Sequence, residues 1–164
     1  MARINHKQKD GFSGIPRRII EHPSFKSLSY SASKLLILLG YQYRGNNNGN
    51  LVITWSLMKG WFGSNTTMFK ARDSLYEAGF IVINAYGGRS GNGTKLPHLY
   101  ALTWESIDQL KSDSSWMRYT HYPAKKAPLS YWRSGVNPDV KTKKERDSQF
   151  KKDVKKIKKT SISY

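Results

Sequence analysis

GSNTTMFKARDSLYEAGFI, from Gly63 to Ile81, reads as a capped helix delivered into a buried strand. Ser64 brings a hydroxyl that can accept a main-chain N–H of the first turn, and the small polar residues Asn65, Thr66 and Thr67 follow it. Met68, Ala71, Leu75 and Ala78 recur on one face of a 3.6-residue period. Gly79 supplies the left-handed residue that ends many helices, and the apolar run Phe80, Ile81, Val82, Ile83 begins a strand. With the apolar face inward, Asn65, Thr66, Phe69, Lys70 and Asp73 turn outward. The opening turns carry little apolar surface and two cations, Lys70 and Arg72, so this end of the helix is expected to face a partner rather than the core.

The elements on either side follow from the same rules. Thr54 stands where it would cap a helix carrying Leu57, Met58 and Trp61, and Phe62-Gly63 forms the turn into Ser64. Leu51, Val52 and Ile53 predict a very short strand after RGNNNGN (44–50), a turn cluster with nothing to bury. Further back, Ala32, Leu35, Leu36, Leu39 and Tyr43 fall at helical spacing behind a Ser29 or Ser31 cap. Ile37 and Leu38 widen that face, which predicts a central core helix. A buried strand is the alternative for LLILL, and the length of the periodic pattern argues against it. Ile15, Ile19, Ile20, Phe25 and Leu28 predict a short helix broken by Pro23 and a second half-turn, with Pro16 at a first helical position. Beyond the quoted stretch, 80–85 and 98–103 predict a hairpin with a long glycine-rich tip, and 104–110 predicts one more short helix.

A chain of 164 residues holds one domain with extensions. Residues 1–14 read as a flexible arm and 15–110 as the domain. Residues 111–138 are rich in serine, proline and aromatics and are expected to be extended and irregular. Residues 139–164 form a lysine-rich tail, partly helical, with Phe150, Val154 and Ile157 at i, i+4 and i+7. The formal net charge of +17 is the dominant property, and a polyanion is the partner that relieves it. An anionic membrane surface would need a basic amphipathic helix or a lipid anchor. The absence of cysteine excludes disulfides, thiolate zinc and thiol catalysis, and fits a reducing compartment. The N-terminus lacks the apolar run of a secretory signal, and Leu35–Leu39 is too short to span a bilayer. The expectation is a cytoplasmic, nucleoid-associated protein with no membrane partner.

The element order, with SNTTMFKARDSLYEAGFIVI (64–83), resembles the winged helix-turn-helix family of bacterial, phage and plasmid DNA-binding proteins. The resemblance covers about Leu28 to Leu102. It is sharpest where Leu75, Glu77, Ala78, Gly79, Phe80 and Ile81 close the helix, and GFSGIPRRII (11–20) is similar to the lead-in of phage and plasmid members. It implies a mainly α fold with a small β-hairpin wing, an N-terminal arm and a basic C-terminal extension. It also implies a recognition helix in the major groove of double-stranded DNA and a wing on flanking phosphates or the minor groove. The DNA-binding residues would be Ser64, Asn65, Thr66, Thr67, Phe69, Lys70 and Asp73 on the helix, and Arg89, Ser90, Asn92 and Lys95 on the wing. Their chemistry agrees: Asn pairs with adenine, Lys with guanine and Thr with base edges or thymine methyls, while free N–H groups at a helix start suit a phosphate. Arg72, where the family has a buried aliphatic, and Phe69, where it has a small or polar residue, depart from the pattern. The biological role implied is transcription regulation or marking of a replication origin.

The remaining motifs each have a simpler reading. GGRSGNGTK (87–95) invites comparison with a phosphate-binding loop, but Thr94 precedes Lys95 and a strand follows instead of a helix. Tyr119, Tyr122, Tyr131 and Trp132 with Lys125, Lys126 and Arg133 could stack single-stranded bases; anchoring an irregular segment to the back of the domain is the favoured reading. Lys125, Lys126, Lys151, Lys152, Lys155 and Lys156 are expected to add non-specific phosphate contacts. The tail would also serve a homodimer or a replication or transcription partner. His6, His22, His98 and His121 are scattered and acids are few, so no enzyme, metal or cofactor is expected. The alternatives in other classes are an RNA- or single-strand-binding scaffold and a protein-docking adaptor.

Overall fold

The computed structural model describes residues 13–89, 93–108 and 122–140. Its first elements are single turns, α1 (Arg17–Ile20) and α2 (Pro23–Lys26). Pro16 sits at the N-cap of α1, one position before the expected one, and Pro23 opens α2. A proline at a first helical position forfeits nothing, because that N–H has no intrahelical acceptor. His22 completes the start of α2 by accepting the Ser24 amide on Nδ1 at 3.2 Å.

Ser29, not Ser31, caps α3 (Tyr30–Gln42), accepting the Ala32 amide at 3.2 Å. Ala32, Leu35, Leu36, Leu38 and Leu39 are buried, whereas Ile37 remains 51% exposed on the opposite face. Then come β1 (Leu51–Val52), the single turn α4 (Trp55–Met58) and α5 (Asn65–Glu77). α4 is shorter than its pattern suggests: Met58 is buried, Leu57 and Trp61 are exposed, and Thr54 makes no side-chain cap. α5 matches its expected core face, with Met68, Ala71 and Leu75 buried, and it packs on α3. Its end is a Schellman motif, in which Gly79 N–H reaches the Tyr76 carbonyl at 3.1 Å and Phe80 N–H the Leu75 carbonyl at 3.0 Å. Gly79 has φ +76°, and Phe80 and Leu75 are both fully buried.

β2 (Ile81–Ala85) follows, then the two-residue strands β3 (Gly88–Arg89) and β4 (Lys95–Leu96), and β5 (Leu99–Leu102). The main sheet is antiparallel in the order β1-β5-β2, while β3 and β4 pair only with each other as a ribbon beyond it. Among the described residues this gives five helices and a small antiparallel sheet. It is an α+β arrangement with more sheet than a mainly α reading allows, and its β3–β4 ribbon stands where a wing would. At the outer edge of β1, the Gln42 carboxamide donates to the Val52 carbonyl and accepts its N–H, both at 2.9 Å.

Three expectations are corrected. The 44–50 cluster does bury a side chain: Asn48 is fully buried, bonding both main-chain groups of Leu102 (2.7 and 2.9 Å) and the Ser106 carbonyl (2.9 Å). The described part of 104–110 is not helical; Ile107 instead bridges the main chain of Lys125, and residues 109 and 110 lie outside the described residues. The described part of 111–138 is irregular as expected, yet it enters the core. A 3-10 turn at Tyr131–Arg133 buries Trp132, whose ring meets His22 edge-on at 5.0 Å. Asn137 is also buried, and its N–H takes the Glu77 carbonyl at 2.9 Å. The unit whose chain was expected to end near 110 is therefore completed by residues 129–137.

Candidate nucleic-acid interface

The start of α5 is built by Ser64. Its Oγ accepts the Thr67 amide at 3.1 Å and lies 2.9 Å from the Thr67 hydroxyl, while its carbonyl accepts the Met68 amide at 3.2 Å. The first two amides of the helix, of Asn65 and Thr66, are left to point along the axis at the positive end of the dipole. Asn65, Thr66, Thr67 and Lys70 are all exposed. Charge changes along the helix: Lys70 stands in the N-terminal half, and the exposed acids Asp73 and Glu77 in the C-terminal half. Nine residues of helical rise place Asp73 about 13 Å from Ser64. The end suited to a polyanion is the N-terminal one.

Phe69 departs from its expected outward position. It is half-buried against the core, with the Arg72 guanidinium 4.7 Å from its ring centre. Arg72 in turn donates through Nε and Nη2 to Asp73 Oδ1, at 2.8 and 2.5 Å. Phe69 and Arg72 thus hold each other in place. Arg72 stays on the flank of the helix by stacking on Phe69, and it offsets the Asp73 carboxylate that would otherwise oppose a phosphate.

The turn that leads into α5 is held by a residue that the sequence alone did not mark. Lys34, on α3, donates from Nζ to the Trp61 carbonyl at 2.6 Å and lies 5.7 Å from the Phe62 ring centre. It ties the turn between α4 and α5 to α3. The only signal in the sequence was that Lys34 is the one charged residue of α3, which reads equally well as a solvated side chain.

On the β3–β4 ribbon, Arg89 and Lys95 are exposed and directly opposite in register. Two like charges facing across a strand pair are unfavourable until an anion comes between them. Ser90 and Asn92 lie outside the described residues. The ribbon's root is tight: a Cβ on Gly87 would stand 2.3 Å from the Leu96 carbonyl oxygen. The Gly87 N–H donates to His98 Nδ1 at 2.9 Å. Burial, and secondly the Arg72 charge, hold the His98 pKa below its usual value, in keeping with a ring that accepts through Nδ1.

Lys125 and Lys126 are exposed, and the bonds that fix them run to Ile107 and Ser106. Lys151, Lys152, Lys155 and Lys156 lie outside the described residues, as do His6 and His121. Among the described residues no group of His, Asp and Glu could hold a metal ion, and no helix is long and apolar enough to cross a membrane. Comparison with protein-family models, with curated proteins and with solved structures finds no match to this chain.

Proposed function

We propose that the chain is a winged helix-turn-helix protein that binds double-stranded DNA with sequence preference. The observation carrying this reading is the succession α3, β1, α4, α5, β2, ribbon, β5 with the sheet order β1-β5-β2, combined with the polar, capped start of α5. In this reading the N-terminal half of α5 enters the major groove. Asn65, Thr66 and Lys70 read base edges there, and the free amides of Asn65 and Thr66 meet a phosphate. Arg89 and Lys95 grip the flanking backbone, which supplies the anion their cross-strand pairing lacks. Lys125, Lys126 and the lysines of 139–164 add attraction without base readout. Regulation of transcription and marking of a replication origin both use this chemistry, and a homodimer or a partner protein would dock through the tail.

The test is selection from random duplexes by the purified chain at two salt concentrations. A discrete motif is expected. Asn65→Ala should relax one position of it by about 1–3 kcal/mol. Arg89→Ala should weaken all duplexes alike and lower the salt slope by about one. Salt-dependent binding with no motif, or a preference for single strands or RNA, would sink the reading in favour of a nucleic-acid scaffold.

A further inference from the structure

Between the C-terminal half of α5, the main sheet and the root of the ribbon lies an open cavity of about 560 Å³. Its walls are aromatic: Tyr76 from α5, Tyr86 and His98 from the ribbon root, and Tyr100 from β5. The rings are set edge to face, His98 lying 5.6 Å from Tyr86 and 6.4 Å from Tyr100 between centres. At the rim stand Asp73, Glu77 and Asp139, with Arg72 as the sole cation. Arg72 is paired with Asp73, so the carboxylates of Glu77 and Asp139 have no cation among the lining residues, although Asp139 accepts the Tyr122 hydroxyl. In a chain of net charge +17 this is a local reversal of sign.

Tyrosine faces attract cations through their quadrupoles, and nearby carboxylates add direct charge. We infer that this cavity binds an organic cation, an alkylammonium or alkylguanidinium group, with its alkyl part against Tyr76 and Tyr86 and its charge toward Glu77 and Asp139. A bare metal ion does not fit, because the rim acids form no cluster of ligands. A phosphate or other anion would meet the Glu77 carboxylate and that of Asp139, whose charge is not cancelled by the neutral Tyr122 hydroxyl it accepts. Two sources offer the chemistry: a free amine, or lysines of the chain itself, since Val140 lines the cavity and residues 141–164 hold ten Lys and Arg against three acids. An occupant would press on Tyr86 and, through it, on His98, which holds the Gly87 amide at the ribbon's root. That consequence for DNA rests on the function proposed above; occupancy itself does not.

The experiment titrates the full chain, without DNA, with n-butylammonium and with n-butanol as its uncharged counterpart, following the His98 and tyrosine ring signals by NMR. Saturable shifts are expected with the amine and not with the alcohol, weakened about tenfold in Glu77→Gln and again in Asp139→Asn. A parallel titration uses the chain with all ten Lys and Arg of 141–164 replaced by Gln. Tighter amine binding there identifies the chain's own lysines as the occupant, and unchanged binding identifies a free amine; both support a cation site. Equal shifts with butanol, no saturation, or indifference to both acid substitutions would overturn it. Far-UV circular dichroism confirms that each variant is folded.

Discussion

Asn48 joins the 44–50 turn to the end of β5 with a single side chain. Its carboxamide accepts the Leu102 amide and donates to carbonyls of Leu102 and Ser106, and its own N–H is held by Asp108 at 2.8 Å. Asn48→Ala strands at least two buried main-chain groups and is expected to lower stability by about 2–4 kcal/mol in urea unfolding. Asn46→Ala, on an exposed neighbour, should change almost nothing. His98 makes a second, pH-dependent prediction. Its pKa is lower folded than unfolded, so it leaves stability undiminished above about 6.5 and subtracts from it as pH falls from there through the folded value. His98→Gln should flatten that part of the stability–pH curve. None of this was legible beforehand, because an asparagine in NNN or a histidine in a strand pattern gives no sign of what it will face across the fold.

The elements were more legible than the residues, and the reasons are local. α3 and α5 were readable because each combines a serine cap with an apolar face, and local chemistry settles both. Ser64→Ala is expected to cost about 1 kcal/mol of stability, measured by thermal unfolding, and to weaken duplex binding through disorder in the first turn. α4 was overread, since a 3.6-residue pattern of Leu57, Met58 and Trp61 does not say how many of those side chains will find a neighbour. The expected helix at 104–110 failed because Asn48 and the Lys125 main chain, both distant in sequence, claim its backbone groups. In the ribbon, Arg89→Ser removes one of two facing cations. Stability of the free protein should rise by a few tenths of a kcal/mol while duplex affinity falls, and the opposite signs of the two changes are the check.

At the scale of the molecule, the aromatic segment after 110 was expected to anchor on the back of the domain, and in the structure Trp132 belongs to its core. Trp132 enters the core beside His22 from a segment whose serines and prolines look like linker. Trp132→Ala should cost about 3–5 kcal/mol, enough to remove much of the stability of a small domain. Net charge acts on the same scale: with +17 to confine, the melting temperature should climb as salt rises from 50 to about 500 mM by screening, while on the function proposed above duplex affinity should drop. The Gln42 side chain that closes the border of β1 has a consequence for a population of molecules. An open strand border is a template on which copies of a chain can zip together, and here one amide stands in for the missing neighbour. Gln42→Ala would uncover it, and a concentrated sample of that variant should turn cloudy on storage at high salt, where mutual repulsion no longer keeps the molecules apart.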